Sequence, residues 1–214
     1  MGQGNRAALK VPIIKMNSSV RLSDIAEVRP GYLTRKPVKP RPDGTHFLLQ
    51  IRDFNQDRSA IDPAALIHFT PDSPSSVQPL QAGEVVFLAR GAKNFASAPS
   101  ELPVPTLAAS YFFIIRPSSQ ILPGYLAWYL NQPSTLRALS RVATSGAHMP
   151  VVRRTDIENV EVLTPPLAVQ RSILEIDNLM REEQSLLHEL ARKRNELLST
   201  VCMAAAQSGK IGES

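Results

Sequence analysis

From Ile173 onward, apolar side chains return every three or four residues, at Ile173, Ile176, Met180, Leu187, Leu190, Leu197 and Val201. The steps fit a seven-residue register in which Glu183 and Arg194 are the two misfits, and Leu174, Leu179, Leu186 and Leu198 widen the stripe. No Pro or Gly falls between 167 and 208. The pattern therefore predicts one helix over Leu167 to Gln207, about 40 residues and roughly 60 Å long at its 1.5 Å rise. A stripe of that length outruns the surface of a small domain beside it and calls for a second helix. The chain holds no other long helical pattern, so the simplest partner is a second copy, with a helix folded back on its own domain as the bland alternative.

The residues before the double proline of "TPPL" (164–167) alternate faster. "HFLLQIR" (46–52), "GEVVFLAR" (83–90) and "SYFFIIRP" (110–117) are short, apolar, rich in β-formers and bounded by Gly or Pro, which predicts three strands. "LSDIAEV" (22–28) reads as a short helix capped by Ser23 and broken by "RPGY". "PGYLAWYLNQ" (123–132) and "PSTLRALSRVAT" (133–144) each open on a proline, as first helical turns tolerate. "TDIENVEVL" (155–163) begins with a capping box of Thr155 and Glu158 and passes into a strand. The stretches 53–82 and 91–109 are loops rich in Pro, Ser and Ala. The expected organisation is a flexible leader (1–19), one mixed globular domain (20–163), the long helix (164–207) and a flexible tail (208–214). The fold class is α+β, with segregated elements rather than a regular βαβ alternation.

Composition narrows the function classes. With 214 residues, 43% hydrophobic and 20% charged, the chain can bury one good core and carry an appendage. No run of about 18 apolar residues occurs, which excludes a spanning helix. The first residues carry no secretory h-region, and Arg6 breaks the myristoylation pattern that Met-Gly begins. A single cysteine, Cys202, excludes an internal disulfide framework and suits a reducing cytoplasm; inside the helix it reads as a small buried hydrophobe.

The net charge of +5 is unevenly spread. Between Leu167 and Gln207 six acids face five bases, so the positive excess belongs to the first 166 residues. There "RPGYLTRKPVKPR" (29–41) holds Arg29, Arg35, Lys36, Lys39 and Arg41 without an acid, either a solvated loop or a phosphate-facing edge.

Catalytic patterns are missing. No Gly-rich phosphate loop or G-x-S-x-G elbow appears, and His46, His68, His148 and His188 lack ligand spacing. A methyltransferase would need a cofactor-binding domain and an Asn/Asp-Pro-Pro-aromatic loop, for which "TPPL" is no substitute because Thr164 lacks the amide. A nuclease would need clustered carboxylates beside a lysine, and Asp43, Asp72 and Glu84 do not sit in that arrangement. The expectation is a non-enzymatic chain with no cofactor or metal of its own.

Four segments, in order, carry a resemblance: "LSDIAEVRPGY" (22–32), "LQAGEVVFLARG" (80–91), "ILPGYLAWYLN" (121–131) and "TSGAHMPVVRRTDIENVEVLTPPLAVQRSI" (144–173). Together they resemble the target-recognition domain and following helix of the specificity subunit of type I restriction–modification systems. Each motif occurs once, whereas full-length members carry two recognition domains and two helices, so the chain looks like half a subunit. Loop 29–41 also departs from the family in its proline and charge. The resemblance implies a DNA-recognition subunit in phage defence that reads half of a split double-stranded target. It also implies separate methyltransferase subunits, which would supply the S-adenosylmethionine chemistry of DNA methylation, and two copies paired as an antiparallel coiled coil. The competing readings are a small stand-alone nuclease or methyltransferase and a coiled-coil interaction protein that reads no DNA.

Phosphates are met by Lys and Arg, while bases are read by planar or amide groups. The candidate DNA contacts are accordingly Arg29, Tyr32, Arg35 and Lys36, then Arg52 at a strand end, then Arg90, Lys93 and Asn94. Ser145, Gly146 and His148 join them through the resemblance. Tyr32 is as readily a core aromatic, Arg90 a structural ion pair and Gly146 a turn.

Overall fold

The computed structural model describes residues 19–34, 37–55, 58, 60–73, 77–91, 93–143 and 151–208. The expected leader, but for residue 19, and the expected tail beyond 208 lie outside these. The chain divides into two compact units, Met1–Gln170 and Arg171–Ser214.

The first unit is α+β. In chain order it contains β1 (Ser19–Arg21), α1 (Leu22–Ile25), β2 (Ala26–Pro30), β3 (His46–Leu49), β4 (Ile67–Phe69), β5 (Val85–Leu88), β6 (Ala96–Ser97), β7 (Thr106–Ala108) and β8 (Phe112–Pro117). Helices α2 (Pro123–Leu130), α3 (Pro133–Val142) and α4 (Arg154–Glu158) follow, then β9 (Glu161–Leu163).

One sheet is antiparallel throughout, in the order β2-β8-β5-β6. Its strand β5, "VVFL", lies between two neighbours and is buried at all four positions, which is why it reads as a continuous apolar run rather than an alternation. The second sheet runs β4-β3-β7, with β3 antiparallel to β4 and parallel to β7. One core joins the two sheets. It takes Leu48 and Leu49 from β3, Leu107 from β7, and Val86, Leu88, Phe112 and Ile114 from the larger sheet. Phe54 meets Phe95 edge-on at 5.0 Å within it.

The helices are pinned to this frame by polar side chains. Asn131, the C-cap of α2, accepts from Ala96 N and donates to Ala96 O, both at 2.8 Å, and so completes the edge strand β6. Tyr125 donates its hydroxyl to Leu163 O at 2.9 Å, joining α2 to β9. Burial, with a smaller contribution from Tyr129, pushes that phenol up to about 12. β1 pairs with β9 antiparallel, Ser19 opposite Leu163, so the first and last described strands of the unit meet in one ladder.

Several local expectations are corrected. The residue preceding α1 is Arg21, with no side-chain cap, and Ser23 donates instead to Asp24 Oδ1 at 3.4 Å. The helix expected over 22–28 stops after one turn because Ala26–Pro30 pairs with β8. The strand expected over 46–52 ends at Leu49. There Asp53 Oδ2 accepts the Gln50 N–H at 2.6 Å and draws Ile51–Asp53 into a 3-10 turn. The capping box sits two residues early: Asp156 accepts the Arg153 N–H at 2.9 Å, and Glu158 pairs with Arg154. β1, β2, β4, β6 and β7, which the sequence pattern missed, have two to five residues each and depend on partners distant in the chain.

The second unit continues helix α5, Leu167–Ser208, whose 42 residues agree with the expected span. Within it Ile176, Leu179, Met180, Leu186, Leu187, Leu190, Leu197, Leu198 and Val201 are 50–65% exposed in the single chain. Cys202, expected to be buried, is exposed like its helical neighbours. No helix among the described residues is long and apolar enough to cross a membrane.

Candidate nucleic-acid interface

Two of the sequence-predicted contacts, Tyr32 and Arg52, meet at the turn after β7. Tyr32 N donates to Ala108 O at 2.7 Å, Ala109 N to Leu49 O at 3.0 Å, and Ala89 N to Tyr111 O at 2.9 Å. These bonds bring the chain after β2, the end of β3 and the end of β5 against the single segment 108–111. Gly31 makes the first approach possible, since a Cβ there would stand 2.2 Å from Ala109 O.

Tyr32, Arg52, Gln50, Ser110 and Tyr111 consequently share one open cleft of about 400 Å³. Arg52 is exposed over it, with its Nε 3.8 Å from the buried Asp53 carboxylate. Burial pushes the Asp53 acid up, opposed by the Gln50 N–H and by Arg52. Tyr111 accepts the Ile51 N–H at 3.3 Å, and burial likewise raises its phenol. Tyr32 is packed on one side and open to the cleft on the other. Its ring packs 5.6 Å from Phe69 and its hydroxyl accepts the Asp72 N–H at 3.2 Å, while part of it lines the cleft.

Arg90 and Lys93 lie beyond β5, both exposed. Arg90 forms a bridge with Val151, and Val152 N donates to Ala89 O at 2.9 Å, so residues 151–152 are held beside the end of β5. Lys93 is tied by its backbone, where its carbonyl accepts from Arg58 at 2.8 Å. The Arg58 guanidinium also covers the Phe95 ring at 4.5 Å. Arg58, Gln50, Ser110 and Tyr111 were absent from the sequence-predicted set. Gln50, Ser110 and Tyr111 stand out only because they line the cleft with Tyr32 and Arg52, and Arg58 only because it lies against Lys93; nothing in their local spacing marks them.

Two predicted contacts are engaged within the fold. Arg29 points into the fold and pairs with Glu84 at 2.9 Å, and it also donates to the carbonyls of Gln78 and Pro79 at 3.1 and 3.2 Å. Its neighbour on the sheet, Ile114, and the buried Glu84 make this side of β2 an interior position. Asn94 donates to Leu88 O at 2.8 Å and thereby closes the turn between β5 and β6. Arg35, Lys36, Ser145, Gly146 and His148 lie outside the described residues. Among those that are described, no three His, Cys, Asp or Glu side chains come together as a metal site would require.

Among the described residues, the first unit is thus an α+β fold of three sheets with loops converging on one turn, and the chain continues into one long helix. By sequence, no protein-family model and no curated protein matches the chain. By structure, it is similar to a chain described in the complex assembly and conformational transition of the type I R-M system. That match has TM-score 0.61 and 18% identity, and covers 86% of this chain and 43% of the other. It is also similar to the HsdS subunit from Thermoanaerobacter tengcongensis, with TM-score 0.55 and 15% identity over 83% of this chain and 40% of that one. The type I restriction-modification S subunit from M. genitalium shares the fold at TM-score 0.54 and 12% identity, over 90% of this chain and 46% of that one. The chain therefore has the fold of these three chains and spans less than half the length of each.

Proposed function

We propose that this chain is a non-catalytic DNA-recognition subunit of a type I-like restriction–modification system. It acts in the cytoplasm, where it directs separate methyltransferase subunits, which carry S-adenosylmethionine, to a bipartite target on double-stranded DNA. The observation that carries the proposal is the structural likeness to an HsdS subunit, a type I S subunit and a further chain of a type I R-M system, which extends over most of this chain but under half of each neighbour. Segments 50–55 and 109–111, with Arg58, Arg90 and Lys93, form the reading surface. Arg52, Arg90 and Lys93 meet phosphates, and Tyr32 with its neighbours in the cleft faces the groove. Arg35, Lys36, Ser145, Gly146 and His148 are proposed as further DNA contacts from the sequence. Two copies pair antiparallel through Ile173, Ile176, Met180, Leu187, Leu190, Leu197 and Val201, so that two identical readers address a two-fold, interrupted site.

The test is selection of bound duplexes from a random pool by the purified full-length chain, followed by titration at several salt concentrations. The expected result is enrichment of one short sequence, with affinity falling steeply as salt rises. Binding without selectivity would favour an interaction protein that reads no DNA. Cleavage or methylation of DNA by the chain alone would make it an enzyme and overturn the proposal.

A further inference from the structure

On the seven-residue register of α5, Ile173, Met180, Leu187, Arg194 and Val201 occupy one seam position, and Ile176, Glu183, Leu190 and Leu197 the other. Two charges therefore sit among apolar neighbours that are half or more exposed in the single chain. The helix neutralises other charges locally, by Arg181–Asp177 at 2.8 Å, Lys193–Glu189 at 2.8 Å and Arg192–Glu196 at 2.6 Å. Among the described residues, neither Glu183 nor Arg194 enters any such ion pair.

Resting on the antiparallel pairing proposed above, we infer that Glu183 and the partner's Arg194 form an interhelical ion pair that fixes both the direction and the register of the dimer. In an antiparallel pair, each residue of one seam position faces the other seam position of the partner. Setting Leu187 against the partner's Leu190 also sets Met180 against the partner's Leu197 and Ile176 against the partner's Val201. The same alignment puts Glu183 against the partner's Arg194, twice by symmetry. Every apolar layer then meets an apolar layer, and both misfits are used.

The alternatives strand these charges. Sliding one heptad either way places Glu183 against the partner's Leu187 or Val201, and Arg194 against the partner's Ile176 or Leu190. A parallel pair sets Glu183 on the partner's Glu183 and Arg194 on the partner's Arg194. An uncompensated charge in a helix seam is strongly unfavourable, whereas a paired one mainly selects among arrangements. The selection has a length attached. In the favoured register the two Arg171 positions lie roughly 50 Å apart along the axis, and one heptad of slip changes that by about 10 Å. A slip of that size corresponds to about three base pairs of B-DNA, so the ion pair fixes the gap between half-sites.

The experiment measures dimerisation of the full chain by sedimentation equilibrium, for the native protein, Arg194→Glu, Glu183→Arg and the double exchange. Register is read by disulfide formation between mixed chains in a Cys202→Ser background. The mixtures are Leu187→Cys with Leu190→Cys, Met180→Cys with Leu190→Cys, and Leu187→Cys with Leu197→Cys. Each single reversal should weaken the dimer about 100-fold or more, and the double exchange should return it to within about tenfold of native. Only the first cysteine mixture should cross-link efficiently. Glu183→Leu with Arg194→Leu should retain a dimer but cross-link in several registers, and should accept more than one spacer length in DNA selection. A native dimer that tolerates the single reversals, is not restored by the exchange, or cross-links in another register overturns the inference while leaving pairing intact. A monomeric native chain at micromolar concentration overturns the pairing and the inference together.

Discussion

Gln170 and Leu122 are joined by a 2.8 Å hydrogen bond in which the glutamine Oε1 accepts the N–H at the N-cap of α2. The same fully buried side chain donates through Nε2 to Gln120 O at 3.0 Å and to Pro165 O at 2.8 Å. One amide thus satisfies three backbone groups and fixes the first turn of α5, residues 167–170, within the first unit. The glutamine of "PPLAVQ" is a structural staple, and only an amide has both the acceptor and the two donors this position needs.

Gln170→Ala is expected to cost about 2–4 kcal/mol, because it strands one N–H and two carbonyls. Gln170→Glu should be comparably harmful, since it keeps an acceptor but loses both donors. Urea unfolding followed by circular dichroism measures the effect. A change under about 0.5 kcal/mol would show that water satisfies those groups instead.

The buried carboxylate of Glu84 takes Arg29 on one oxygen and Arg116 on the other, each at 2.9 Å. Glu84→Ala leaves the largely buried Arg29 guanidinium uncompensated and should destabilise the protein by about 3 kcal/mol. Arg29→Ala should cost less, because Arg116 remains on the carboxylate. In the folded fraction it should leave the salt dependence of DNA binding unchanged. A flatter salt dependence in Arg29→Ala would return Arg29 to the DNA contacts.

Arg52→Ala, Arg90→Ala and Lys93→Ala should each weaken DNA binding by about threefold to tenfold and lower the slope of log affinity against log salt by about 1. Their melting temperatures should stay near native, because all three side chains are exposed. Titrations at four salt concentrations separate this outcome from a fold defect. Unchanged slopes in all three would place the reading surface elsewhere.

Hydrogen bonds from the Arg153 side chain, aided by its backbone N–H and its charge, hold the Asp156 carboxyl below the usual carboxylate range. A lowered acid supplies stability that is complete above its unfolded value near 4 and is lost as pH falls through the lowered folded value. Asp156→Asn should therefore cost about 1 kcal/mol at pH 7, with the gap to native closing below about pH 4. Paired urea titrations from pH 7 to 3 test this, and a gap independent of pH would mean the carboxylate charge is not involved.

Helices and the longest buried strands could be read from residue order alone, because their signals are local. Leu167–Ser208 announces itself by a stripe uninterrupted by Pro or Gly, Pro123 and Pro133 mark first turns, and "VVFL" is buried wherever it pairs. The seven-residue spacing likewise places Glu183 and Arg194 in the seam before any fold is known. Pairing across the chain settled the rest. Ala26–Pro30 is a strand because β8 lies beside it, and Arg29 turns inward because Glu84, 55 residues away, is buried there. Tyr32, Arg52 and Tyr111 face one cleft because three separate backbone segments bond to residues 108–111. Periodicity encodes which face of an element is apolar, but the neighbour that covers that face, and hence whether a charged side chain serves the core or the surface, exists only once distant segments have met.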